Sequence, residues 1–325
     1  MKLNLREVLR EGLAALGFMA LGGLWAADDT AVATTNHVVV GAPTVSQTIP
    51  WRKGVTLKRL VFNEPRLMVA FVARVDLTTP GVGFTATERD PLWGEPMPDY
   101  TNELWLVNTK RETTVDFMAR RHGAGQNVEI AFNTSGWRPW PERAAVASTY
   151  AALYRWDMVD GQELSCGKTP GMGTYFIVRN DGSTFIRTVV KPHMTNDWSI
   201  ALYGNRPILK DGRRARDGIH YPVGDPAYSE DPQPRTAVGL TPDKKTLVVL
   251  AVDGRQPGYS EGASFADLAD IMLTEGCSDV VNMDGGGSTS FVVWDRENAC
   301  PKMLNKHANG YMRRVAVNLG ITFSE

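Results

Sequence analysis

The sequence predicts an α+β protein: a single domain built on a mixed β-sheet, with flanking helices and a βαβ unit in its C-terminal third. Three observations carry that expectation. Short runs rich in β-branched and aromatic residues recur along most of the chain, bounded by Gly, Pro and Asn. Between residues 246 and 294 the apolar pattern changes from strand-like to helical and back. No Pro/Gly/Ser-rich linker separates two halves, so the 325 residues read as one domain.

The first element is an address. Lys2, Arg6 and Arg10 precede the apolar run 13–24, and Ala26, Ala27, Asp28 and Asp29 follow it. A basic head, a run too short to span a bilayer and small residues before a polar stretch describe a secretory signal over 1–26, with 27–325 as the exported domain. The rival is an uncleaved anchor, since Glu7 and Glu11 are unusual in such a leader. Signal cleavage implies a periplasmic or extracellular protein without a stable membrane span. Cys166, Cys277 and Cys300 then allow at most one disulfide, whose pairing the sequence does not specify.

Strand-like runs follow at 55–62, 67–75, 104–108, 128–132 and 175–179, interrupted by a loop at 90–99 that carries Pro91, Pro96 and Pro98. The basic run 110–121 reads as a solvated helix face. Gly167-Lys168-Thr169 resembles the end of a P-loop, but the required first glycine is Gln162 and Pro170 stands where a helix would begin. Residues 211–234 form a long loop that leads into Arg235 and is expected to overhang a site, with disorder as the alternative.

The C-terminal third is more legible. Runs 236–240 and 246–252 make a hairpin. Ser264 caps a helix with Asp267 at its third position; Phe265, Leu268, Ala269 and Met272 repeat at helical spacing, and Gly276 ends it. Strands at 280–283 and 289–294 flank Asp284-Gly285-Gly286-Gly287-Ser288. Strand, helix, strand implies a parallel crossover. Asp253 and Asp284 then end two parallel strands at one sheet edge, where open α/β sheets place their sites. The hairpin returns Arg235 to that edge, and Ser288 leaves the glycine turn there. Asn133 joins them if its strand runs parallel.

Composition narrows the chemistry. Hydrophobic residues at 43% and charged residues at 22% exclude a disordered chain and a polytopic membrane protein. With 35 basic and 36 acidic residues, the chain lacks the field that holds nucleic acid. The five histidines show no metal-ligand spacing. Three successive glycines let the backbone approach a ligand closely, and their N–H groups can cradle an anion. Arg235 offers a planar fork for phosphate oxygens. Two carboxylates beside such a cradle suit hydrolysis at a sugar carbon, or alternatively a divalent cation such as Ca²⁺. No cofactor is required.

Arg235-Thr236-Ala237-Val238-Gly239, then Asp253-Gly254-Arg255-Gln256-Pro257-Gly258-Tyr259-Ser260, then Asn282-Met283-Asp284-Gly285-Gly286-Gly287-Ser288-Thr289 resemble the phosphodiester glycosidase family in order and spacing. The resemblance covers about 200–320, and Asn133-Thr134-Ser135-Gly136-Trp137 matches loosely upstream. It implies cleavage of a sugar-1-phosphate diester at the glycosidic bond, and the secretory signal points to an envelope glycan or glycolipid as the substrate. It implies catalytic roles for Asp253, Asp284 and Arg235, and substrate contacts for Thr236, Gly254, Gly285, Gly286, Gly287, Ser288 and Asn133. Trp137 and Trp140 are aromatic enough to stack on a sugar ring. A non-catalytic glycan-binding protein and a metal-dependent phosphodiesterase are the rival readings.

Overall fold

The structure, a computed structural model, describes residues 38–99, 105–139, 148–166, 173–189, 196–215 and 231–324. The leader-like segment 1–26, Trp140, Gly167-Lys168-Thr169 and residues 216–230 of the long loop lie outside these.

In chain order the strands begin with β1 (Val45–Arg52), β2 (Val55–Phe62), β3 (Met68–Asp76), β4 (Val82–Ala86), β5 (Thr109–Lys110), β6 (Val128–Asn133) and β7 (Trp137–Arg138). There follow β8 (Tyr150–Leu153), β9 (Met158–Val159), β10 (Gln162–Glu163), β11 (Gly173–Arg179), β12 (Thr184–Val189), β13 (Trp198–Gly204) and β14 (Arg206–Lys210). The last are β15 (Arg213–Arg214), β16 (Arg235–Leu240), β17 (Thr246–Val252), β18 (Asp279–Asn282), β19 (Phe291–Asp295), β20 (Cys300–Met303) and β21 (Asn318–Phe323). Two helices stand among the described residues, α1 (Thr114–Gly123) and α2 (Phe265–Thr274).

This corrects the expected fold class. The described residues are mostly β, with four antiparallel sheets rather than a mixed sheet between helical layers. The eight-stranded sheet has the order β1-β2-β3-β17-β16-β18-β14-β15; β20-β19-β6-β21-β4 and β10-β9-β13-β11-β12 form five-stranded sheets, and β5-β8-β7 a small one. The crossover is also different in kind. β17 and β18 do run in the same direction, but each pairs antiparallel with β16, which lies between them. A strand–helix–strand pattern does not reveal that an earlier hairpin strand occupies the gap.

Alternating burial along the strands gives each sheet two apolar faces to cover. Along β17, Leu247, Val249 and Ala251 enter one core, while Val248, Leu250 and Val252 enter another. The first core also takes Ile130 and Phe132 of β6 and Leu319 and Ile321 of β21, so the second sheet covers that face. The other face is covered by Leu268, Ala269, Ile271 and Met272 of α2. Phe117 and Met118 of α1 pack on Val128 and Ala131, behind the second sheet. Each such buried Val or Leu contributes about 1.5–3 kcal/mol relative to exposure, so strand burial sets this frame rather than helix propensity.

Local signals explain the details. Ser264 caps α2 in a full capping box with Asp267, and Gly276 follows at φ +80°. A Cβ on Gly239 would lie 2.6 Å from Met272 Cε and 2.8 Å from Cys277 Sγ, so the helix sits directly on β16. Of the run 104–108, the described residues 105–108 form no strand; Leu106 makes an isolated bridge to Pro96. Its partner segment is proline-broken and donates too few N–H groups to extend a ladder. All three cysteines are free thiols. No helix of the described residues is long and apolar enough to cross a membrane.

Candidate active site

Register brings the predicted residues to one edge. Arg235 lies opposite Val252, the residue before Asp253, and Ala237 lies opposite Asn282, two residues before Asp284. Beyond β18 the chain enters the glycine turn, which closes as a short 3-10 turn over Gly286–Ser288. Each glycine answers a separate crowding. A Cβ on Gly285 would meet the Pro234 carbonyl at 2.7 Å; Gly286 has φ +63° beneath the Arg255 guanidinium; a Cβ on Gly287 would meet Arg313 Nη2 at 2.6 Å. The turn is bare so that two guanidinium groups can lie against it.

That arrangement redefines the anion cradle. The Gly286 N–H donates to the Pro234 carbonyl at 2.8 Å and the Ser288 N–H to the Gly285 carbonyl at 3.2 Å, so both are used within the protein. The positive charge of the site comes from side chains instead. Arg235, Arg255 and Arg313 line one open cavity of about 270 Å³ with Asp284, the glycine turn and Ser288. Trp137 and Tyr154 form its aromatic side, and Asn205 and Gln233 complete the lining. Asp284 is the one carboxylate among these residues.

Burial raises the Asp284 carboxyl to about 6, against the opposing effects of the Ser288 hydroxyl, the Gly285 backbone and the Arg313 charge. Such a group is ionised at neutral pH yet basic enough to accept a proton. The Asp284 charge adds to burial in raising the facing Tyr154 phenol. Arg235 is held by its surroundings: Nε donates to the Ala263 carbonyl at 3.1 Å, an Nη to the Asp231 carbonyl at 3.3 Å, and the guanidinium lies 4.1 Å from the Phe265 ring centroid. Burial, and then the charges of Arg255 and Arg206, lower Arg235 to about 10, so it remains a cation.

The other predicted residues stand behind the cavity. Asp253 is fully buried and does not line it. Its carboxylate accepts from Tyr259 Oη at 3.0 Å, the Lys306 N–H at 2.9 Å and Asn305 Nδ2 at 3.2 Å, which fastens two loops together. Burial outweighs these bonds and raises it to about 6. Gly254 packs against Gln233 and Pro234, the approach to Arg235. Asn133 arrives from the second sheet, not from a parallel neighbour. Its Oδ1 accepts from Thr236 Oγ1 at 2.8 Å and from the Ser290 N–H at 3.0 Å, while Nδ2 donates to the Asp284 carbonyl at 2.6 Å. Thr236 and Asn133 therefore position the turn.

Residues 158–322, half of the chain, match the family model for phosphodiester glycosidase. The chain belongs to the phosphodiester glycosidase family. The family segment contains Arg235, Asp284 and the glycine turn, whereas Asn133, Trp137 and Tyr154 precede it. The SPbeta prophage-derived uncharacterized protein YomE of Bacillus subtilis (strain 168) is 25% identical over 241 residues, covering 68% of this chain and 31% of that protein. The chain thus spans under a third of that relative's length. The zebrafish N-acetylglucosamine-1-phosphodiester alpha-N-acetylglucosaminidase catalytic domain, auto-inhibited by its pro-peptide, superposes with a TM-score of 0.55 at 17% identity, over 89% of this chain and 85% of its own. A hypothetical protein from Synechocystis gives 0.54 at 12% identity, over 86% and 64%. These two are likenesses of fold.

Sequence reasoning missed Arg255, Arg313, Tyr154, Asn205 and Gln233. Arg255 carried a signal, since it directly follows Asp253-Gly254. The others are isolated polar or aromatic residues without periodic context.

Proposed function

We propose that the protein hydrolyses the glycosidic bond of a sugar-1-phosphate diester in an envelope glycan or glycolipid. One observation carries this reading: a single ionised carboxylate, Asp284, shares an open cavity with Arg235, Arg255 and Arg313. In this scheme the sugar ring rests on Trp137 and Tyr154, and the phosphate lies among the guanidinium groups. Water attacks the anomeric carbon, its proton passes to the Asp284 carboxylate, and the C–O electron pair goes to the departing phosphate oxygen. A phosphomonoester has a second pKa of about 6 and leaves as an anion without a strong acid, so charge stabilisation matters more than protonation. That suits a cavity with one carboxylate and several arginines. Asp253 acts here as a positioning residue that fixes the loops around Arg235 and Asn305. Export to the periplasm or beyond rests on the pattern of residues 1–26.

The test is hydrolysis of sugar-1-phosphate methyl diesters in ¹⁸O-water. Label on the sugar supports C–O cleavage. Label on the phosphate would instead assign a phosphodiesterase, and arms with EDTA and added Ca²⁺ test a cation at the same site.

A further inference from the structure

Three uncharged lining residues, Trp137, Tyr154 and Asn205, reach the cavity from three separate stretches of chain. All three stretches meet at Asp157. Asp157 follows Tyr154 by three residues, Ser135 precedes Trp137 by two, and Tyr203 precedes Asn205 by two. Asp157 is fully buried and stands outside the cavity lining. The Tyr203 N–H donates to its Oδ1 at 2.6 Å, and the Ser135 hydroxyl is hydrogen-bonded to the same carboxyl. The Asp157 backbone is fixed as well: its carbonyl accepts from the Leu164 N–H at 2.7 Å, and its N–H donates to Ser165 Oγ at 3.3 Å.

Short contacts carry each stretch from there to the cavity. The Tyr154 N–H donates to the Gly136 carbonyl at 3.1 Å, and a Cβ on Gly136 would lie 2.7 Å from the Tyr154 ring. Asn205 Oδ1 accepts from Asn282 Nδ2 at 2.5 Å, two residues before Asp284. A shift of the Ser135 or Tyr203 stretch is thereby passed to the wall on which the sugar ring would rest.

We infer that Asp157 is a positioning residue for this wall, its carboxyl tying Ser135 and the end of β13 to the β8–β9 connection that begins at Tyr154. Its chemistry suits the task. Asp157 Oδ2 and Ser135 Oγ are sealed from water. Burial, against the Ser135 hydroxyl and the Tyr203 N–H, raises the carboxyl to about 8. The facing titratable groups are the Tyr175 phenol of β11, raised by burial and then by the Asp157 charge, the Tyr203 phenol of β13, and Arg155, whose guanidinium lies 5.8 Å from the Tyr203 ring centroid. Glu163 reaches the same place through Ser165 Oγ, at 3.4 Å. At pH 7 Asp157 is a neutral acid, with an oxygen for the Tyr203 N–H and a proton for Ser135. Above about pH 8 it is a buried anion, a costly state that parting the wall and admitting water relieves.

The experiment labels the nine tryptophans with 5-fluorotryptophan and assigns the Trp137 signal by its loss in Trp137→Phe. In wild type that ¹⁹F signal should move with a midpoint of about pH 8. In Asp157→Asn it should stay in place, because the amide offers the acceptor and donor of the neutral acid without its ionisation. Urea midpoints give a second readout. The folded carboxyl keeps a proton that the unfolded chain has released, so wild-type stability falls between about pH 4 and about pH 8. The Asn variant should gain on wild type across that window and hold a constant lead above it. The kinetic arm rests on the hydrolase reading above. On a sugar-1-phosphate methyl diester, kcat/KM should fall above about pH 8 in wild type and at higher pH in Asp157→Asn, and at pH 7 Asp157→Ala should be at least about tenfold slower than Asp157→Asn. A Trp137 signal that stays in place in wild type or titrates equally in Asp157→Asn, a pH-independent difference in urea midpoint, or an Asn variant no more active than the Ala variant overturns the inference. If no diester is hydrolysed, the hydrolase reading alone fails, and the fluorine and urea titrations still decide the role of Asp157.

Discussion

Asn133 and Asp284 are 151 residues apart, yet Asn133 Nδ2 donates to the Asp284 carbonyl at 2.6 Å. The neighbouring bond is equally short, with the Asp284 N–H donating to the Thr134 carbonyl at 2.7 Å. The peptide that presents the cavity's carboxylate is thus clamped on both sides by the end of β6. Sheet packing, not the local turn, sets its orientation.

Asn133→Ala tests that clamp. It strands the Asp284 carbonyl, the Thr236 hydroxyl and the Ser290 N–H in a buried place, each costing about 1–3 kcal/mol. Urea unfolding should show a loss of about 3 kcal/mol or more, and turnover should fall with it. Near-native stability together with full activity would remove Asn133 from the site.

Asp284→Asn should abolish turnover and raise thermal stability at pH 7. The sign follows from proton linkage. The folded carboxyl is raised to about 6 from 3.8, so the native state binds more protons than the unfolded chain between these values. Wild-type stability therefore falls as pH rises through that window and stays lower above it. The variant should melt higher than wild type at pH 7 and show no such gain below about pH 4. Asp253, raised to about 6 as well, keeps part of the pH dependence in the variant. A destabilised variant at neutral pH would contradict the assignment.

Wild-type kcat/KM should rise with pH through about 6 if the Asp284 carboxylate is the proton acceptor. A profile flat between pH 5 and 7 would place the base elsewhere.

Arg235→Lys keeps the charge and loses the fork that spans the Ala263 and Asp231 carbonyls. Loss of one preorganised donor is worth roughly 10²–10³ in rate for a sugar-1-phosphate diester. An aryl glycoside, which has no phosphate, should suffer much less. Equal losses on the two substrates would confine Arg235 to a structural role.

Gly287→Ala inserts a methyl 2.6 Å from Arg313 Nη2 and 2.9 Å from Asn309 Nδ2. Both are ends of flexible side chains, so the fold should survive while the guanidinium shifts. Activity should drop by at least about tenfold, the equivalent of 1.4 kcal/mol, with little change in the urea midpoint. An unaltered rate would show that the Arg313 position is not critical.

The edge that carries Arg235 and Asp284 was legible because hairpin and capping signals are local: Ser264, Asp267 and Gly276 mark α2, and alternation marks β17. The fold class was not, because the apolar faces of β6 and β21 read the same whether a helix or a sheet covers them. Asn133 illustrates the limit well. Its residue type was singled out, but the route by which it reaches Thr236 is a property of two sheets in contact. Arg255 and Arg313 owe their places to the width left by glycines, which becomes visible only when both sides of the gap are known.

The antiparallel order has a practical consequence for anyone trimming this protein. Strands β19 and β21 both pair with β6, and β17 pairs with β3 along its whole length. A fragment limited to the family-matched span 158–322 would leave those three strands with unpaired, apolar edges open to other chains. Recombinant truncation to that span should therefore yield aggregates rather than a minimal enzyme. A piece that keeps β17, β19 and β21 paired must include β3 and β6.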